Sequence, residues 1–182
     1  MKLKPRDITV SAVFSVLTAI GAWISIPLPI TPVPFTLQVF FVLLSGAVLG
    51  GRLGALAQII YLLLGLIGLP VFAGGESGPG VLIGPTGGYL LGFVVGAYLT
   101  GRISQNERLS SFIRMAIATL SGLLPIYMLG EIGLWLWLRS SLPVLLMIGV
   151  VPFLPLDAVK AIMAAYNASR KQLKQVLRRQ LL

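Results

Sequence analysis

The sequence predicts an all-α integral membrane protein. Hydrophobic residues make up 57% of its 182 positions and charged residues 10%, against roughly 25% charged in soluble domains. Mean hydropathy is +0.96. No Asp, Glu, Lys or Arg falls between Asp7 and Arg52, between Arg52 and Glu76, or between Glu76 and Arg102. A bilayer-spanning helix needs about 20 predominantly apolar residues, so these intervals hold spans. The chain reads as a single transmembrane domain over 1–182, too short for an additional soluble catalytic domain.

Six spans follow in order. Span 1 runs from about Ile8 to Ile26 and is retained, because the first 30 residues lack a small-residue cleavage site after a short apolar region. Pro27, Pro29, Pro32 and Pro34 then forbid a continuous helix. Span 2, about Phe35 to Leu49, stops at Gly50-Gly51-Arg52, and span 3 runs from about Leu53 to Leu69. A Gly/Pro-rich loop covers Pro70 to Gly80, with Gly84-Pro-Thr-Gly-Gly88 after it. Span 4 is about Thr86 to Thr100, a polar connection fills 101–113, and span 5 is about Met115 to Leu136. Pro152 and Pro155 break the last apolar stretch; proline suits the first turn of a helix. Span 6 therefore starts near Pro155 and ends after about Asn167, leaving 141–151 as a short segment at the membrane edge.

Six spans put both termini on one side. The net charge is +9, a value that might suggest nucleic acid, yet the positive residues lie at the ends and connections. Lys2, Lys4 and Arg6, then Arg52, then Arg102, Arg108 and Arg114, then Arg170, Lys171, Lys174, Arg178 and Arg179 share one side. Arg139 lies opposite and Lys160 within a span. This bias makes the termini cytoplasmic in a multi-pass protein of the cell membrane and excludes nucleic-acid binding. The chain has no Cys and no His and five acids, so disulfides, a metal cluster and a nucleophile with its base are not expected. No Walker motif is present, so the chain does not itself hydrolyse ATP.

Asp157 and Lys160 are the strongest functional pointer. They stand three apart, on one helical face, within the apolar run Val151–Met163. An ionised side chain at membrane depth costs roughly 2.5–3.5 kcal/mol on insertion scales and usually marks a pathway or a binding site. A structural ion pair is the competing reading, but buried pairs are a costly way to pack. The outward loops over them are rich in glycine, which admits close backbone approach, and proline, which restricts the loop. Gln38, Thr36, Tyr89 and Trp135 are polar-capable residues near the outer span ends, and Glu131 is another acid within a span. Ser11, Ser15 and Ala19 recur at four-residue spacing on span 1, a pattern that lets helices approach closely in lipid, either within the chain or against a partner.

Four stretches resemble the BioY biotin-transport proteins, the substrate-binding S components of energy-coupling factor (ECF) transporters. They are Pro32-Val-Pro-Phe-Thr-Leu-Gln38, Gly68-Leu-Pro-Val-Phe-Ala-Gly-Gly75, Gly84-Pro-Thr-Gly-Gly-Tyr-Leu-Leu-Gly-Phe93 and Phe153-Leu-Pro-Leu-Asp-Ala-Val-Lys-Ala161. The resemblance covers essentially the whole chain, in order. It implies the six-helix S-component fold, biotin capture near the outer surface without a cofactor, and a complex with the coupling protein EcfT and two ATPase subunits. It places Asp157 and Lys160 in the site, and the expected contacts extend to Gln38, Thr36, Gly74, Gly75, Thr86, Tyr89 and Trp135. It also assigns Ser11, Ser15 and Ala19 to partner docking. Leu156 departs from the family's expected glycine and would stiffen the turn before the acid. Biotin carries a carboxylate, which Lys160 could neutralise, and ureido N–H groups, which Asp157 could accept; the residues leave open which charge meets which end. The runner-up is an S component or secondary transporter for another small anionic vitamin; a membrane-embedded enzyme and a purely structural subunit fit the residues less well.

Overall fold

The computed structural model describes residues 4–105 and 111–170. Lys2, Arg108 and the basic residues after Arg170 lie outside them. Among the described residues are seven α-helices: α1 Pro5–Trp23, α2 Gln38–Leu49, α3 Gly51–Leu66, α4 Gly87–Ser104, α5 Ser111–Leu138, α6 Leu142–Gly149 and α7 Leu154–Ser169. Each expected span contains one helix, and the segment expected at the membrane edge is α6. The proline-rich connection is a hairpin whose two-residue strands, β1 Ser25–Ile26 and β2 Phe35–Thr36, pair antiparallel with Ser25 opposite Thr36.

Helix lengths depart from the expected span lengths. With 12 residues, α2 is only about 18 Å long at 1.5 Å per residue. It starts late because the hairpin holds Phe35 and Thr36 extended, and it stops at Gly50 with φ +83°. The 28-residue α5 is long and apolar enough to cross a bilayer by itself, whereas α6 and α7, bent by 50° at their break, reach that length only together. Pro155 sits at the second position of α7, where its missing N–H is not needed.

Helix α2 is the centre of the bundle. It packs against α1, α3, α4, α5 and α7, and Val42 and Leu43 are fully buried. A helix apolar on all sides is stable only in such surroundings. The most extensive pair is α4 with α5. Its closeness comes from glycine: a Cβ at Gly92 would lie 2.7 Å from Ile126 Cα, and one at Gly88 would lie 2.1 Å from the Leu129 carbonyl oxygen.

The small residues of α1 do the same work internally. Ser11 and Ser15 are both 0% exposed. Ser11 Oγ donates to the Leu53 carbonyl at 3.2 Å and Ser15 Oγ to the Ala57 carbonyl at 2.5 Å. Ala19 is partly buried against the core. This face of α1, where docking is expected, packs its serines against α3. The outer face of α1 instead carries Val13, Val16 and Ile20.

Gly92→Val should lower the unfolding midpoint in detergent by roughly 5–10 °C, an overpacking cost of about 1–3 kcal/mol. Gly80→Ala, where an added Cβ meets nothing within 4 Å, should leave it unchanged; circular dichroism melts compare the two.

Candidate substrate cavity

The fold forms a cavity of about 910 Å³ between the hairpin, the loop after α3, the first turns of α2, α4 and α7 and the middle of α5. That volume lies within the roughly 300–1,000 Å³ of small-molecule sites. The wall is largely apolar, with Phe35, Phe72, Phe93 and Phe153 on it.

Asp157 and Lys160 line this cavity. Both belong to the first two turns of α7, and they are only 5% and 6% exposed. Lys160 Nζ donates to Asp157 Oδ1 at 2.7 Å and to the Thr36 carbonyl oxygen at 2.6 Å, and lies 3.6 Å from the centre of the Phe35 ring. Tyr127 Oη donates to Asp157 Oδ2 at 2.8 Å. The pair is thus neutralised, hydrogen-bonded and anchored to β2 and α5. Leu156 is half exposed on α7, so the glycine departure leaves no mark on how the two charges are presented.

A polar relay continues from Thr36. Its hydroxyl donates to Gln38 Oε1 at 2.9 Å, Gln38 Nε2 donates to Tyr61 Oη at 2.6 Å, and Tyr61 Oη donates to the Val71 carbonyl at 3.1 Å. This ties the cavity floor to the glycine-rich loop. There Phe72, 1% exposed, meets the Tyr61 ring edge-on at 5.6 Å between centroids, over Gly65, where a Cβ would collide with the Phe72 ring. The plug leaves Gly74 and Gly75 on the cavity wall, with φ +71° and +79°, conformations that glycine adopts at no steric cost.

The expected contact residues divide. Asp157, Lys160, Gln38, Thr36, Gly74, Gly75, Thr86 and Tyr89 all line the cavity. Trp135 does not: it is 46% exposed, with the Arg139 guanidinium 5.2 Å from its ring centre. A position near the end of α5 does not fix the face a side chain occupies. Tyr127 was missed. It lies 30 residues from its partner Asp157, and no local pattern signals such a contact.

Asp157 and Lys160 touch, so they form a single polar patch.

The fold and its cavity define a helical protein with a largely apolar cavity that carries a cluster of polar groups. Comparison with known proteins narrows the class. The family model for the BioY family matches residues 1–179. The biotin transporter BioY of Thermotoga maritima is 44% identical over 173 residues, covering 95% of this chain and 99% of that protein. The probable biotin transporter BioY of Pyrococcus horikoshii is 41% identical over 172 residues, covering 93% and 98%. A solved structure of the S-component for biotin from an ECF-type ABC transporter superposes with a TM-score of 0.81 at 28% identity, covering 94% of this chain and 95% of that one. The chain belongs to the BioY family.

The apo protein supplies its own test of the ion pair. Removing one partner of a buried pair costs about 3–5 kcal/mol, whereas replacing both with apolar residues is often neutral. Lys160→Met should therefore destabilise the ligand-free protein strongly, and the double variant Lys160→Met/Asp157→Leu should recover most of the loss in thermal unfolding.

Proposed function

We propose that this chain captures biotin at the outer face of the cell membrane and serves as the substrate-binding subunit of an ECF-type transporter. The observation that carries the reading is the neutral, hydrogen-bonded patch of Lys160, Asp157 and Tyr127 in a largely apolar cavity, in a chain 44% identical to a biotin transporter. A cyclic urea offers two N–H donors and a carbonyl acceptor side by side. Asp157 accepts the former; the free N–H of Lys160, two of whose three donors are already engaged, serves the latter. A carboxylate in the same place would face Asp157 at close range, and like charges there are unfavourable. The ureido ring therefore seats at the patch and the valerate carboxylate points away from it, the reverse of a carboxylate-on-lysine pairing.

In the membrane, six crossings with α6 at the outer edge put both termini inside, and the hairpin and glycine-rich loop outside. Arg52, Arg102 and Arg114 then face the cytoplasm. Uptake proceeds in complex with EcfT and two ATPase subunits. This chain supplies specificity and its partners supply the energy.

Titration of the purified protein with biotin should give sub-micromolar binding; none below micromolar concentration overturns the assignment. With the ureido ring seated at the patch, biotin methyl ester should bind within about tenfold of biotin, one hydrogen bond's worth. A much larger loss would return the carboxylate to Lys160.

The chain has no cysteine, so single cysteines report topology cleanly. A cysteine at Ser77 should react with a membrane-impermeant maleimide in intact cells, and one at Arg52 only after permeabilisation. The reverse result would invert the orientation.

A further inference from the structure

We infer that Glu131 is a positioning residue for the ligand seat: through Tyr89 and the Gly149 carbonyl it fixes where α7 begins. The inference rests on the biotin reading above. Helix α6 is weakly held. Its chief neighbour is α5, and of its eight residues only Leu145 and Gly149 are buried. Gly149 ends the helix, and its carbonyl has no intrahelical partner to expect. Tyr89 of α4 supplies one: its hydroxyl lies 2.9 Å from the Gly149 oxygen and 3.1 Å from Glu131 Oε1. One phenol thus joins α4, α5 and α6 at a single point.

Glu131 stands four residues after Tyr127, on the same face of α5. Tyr127 reaches forward to Asp157, and Glu131 reaches the break that precedes it. From that break the backbone runs to the seat through successive hydrogen bonds: Val150 N–H to Leu146 O at 3.1 Å, Leu154 N–H to Val150 O at 2.9 Å, and Asp157 N–H to Phe153 O at 2.8 Å. The position of Gly149 therefore sets the position of Asp157. The arrangement is expensive, because the buried Oε2 of Glu131 has no hydrogen-bond partner, and a solvated surface acid would not leave an oxygen so placed. Space at the junction is closed too: a Cβ on Gly149 would lie 1.9 Å from Glu131 Oε1 and 2.5 Å from Tyr89 Oη.

The test measures biotin dissociation from the purified full chain. Glu131→Leu and Tyr89→Phe should each raise the dissociation rate about tenfold, the loss of one hydrogen bond. The double variant should be no worse than the more impaired single, because both act through one contact. Glu131→Gln, whose amide N–H can donate to the Tyr89 oxygen while the phenol keeps its single proton for the Gly149 carbonyl, should restore retention to within about twofold. Gly149→Ala should also raise the rate about tenfold although alanine favours helix. Additive effects in the double variant, wild-type retention in Glu131→Leu, or a Glu131→Gln as impaired as Glu131→Leu would each overturn the inference. If Glu131→Leu does not fold, Tyr89→Phe, Gly149→Ala and their combination decide the same question. A wild-type chain that fails to retain biotin overturns the biotin reading itself; retention by wild type with additive variants overturns only the role of Glu131.

Discussion

The buried ammonium of Lys160 is the constraint on which the rest of the site depends. A cation in a protein interior must be given acceptors, or its desolvation goes uncompensated. Here the acceptors come from far along the chain. Asp157 is local, but the Thr36 carbonyl is 124 residues away, and the Phe35 ring beside it faces the charge. Satisfying one side chain therefore fixes the hairpin against α7. From Thr36 the network passes through Gln38 and Tyr61 to Val71, and from Asp157 to Tyr127. Two strand residues, three helices besides α2 and one loop are joined by the contacts that begin at Lys160.

Glycine governs the remaining geometry, in two ways. In the helices it removes bulk. Apolar attraction between helices is weak in lipid, where packing must come from close approach, and Gly88 and Gly92 bring α4 onto the α5 backbone. In the loop it supplies conformations: Gly74, Gly75 and Gly78 have φ of +71°, +79° and +87° with open space around each. The loop is nonetheless held, because Phe72 is buried beneath it and the Phe72 N–H donates to the Glu76 carbonyl at 3.1 Å. A flexible composition has produced a fixed cavity wall.

Much of this was legible in the sequence, for identifiable reasons. Apolar runs bounded by Gly50-Gly51 and by proline locate helices, since backbone hydrogen bonding is local. Asp157 and Lys160 stood out because charge is rare in the chain and the two are three residues apart. What was not legible depends on rotation about a helix axis or on distant contact. The four-residue spacing of Ser11, Ser15 and Ala19 identifies a close-packing face without saying whether the chain itself or a partner fills it. Within the chain, two serine hydroxyls of this face bond to α3 carbonyls. Trp135 and Tyr127 belong to the same helix, eight residues apart in sequence, yet only Tyr127 reaches the cavity. The role of Tyr127 follows from the crossing of α5 with α7, which no local pattern encodes.

Under the proposed function the same network bears on both capture and release. The Lys160 ammonium has three donors and uses two for Asp157 and Thr36. In the proposed binding mode a ligand carbonyl takes the third, so binding would add a contact without displacing the hairpin. Release would then part the hairpin from α7 and break charge-assisted hydrogen bonds in a low-dielectric interior. A ligand whose contacts favour that tie supplies no energy for parting it, so the work would enter through an element linked to Thr36 or to the start of α7. Both adjoin other elements, α1 through the hairpin and α6 through its break, and a displacement would reach the seat at Lys160 from the hairpin and at Asp157 from the break.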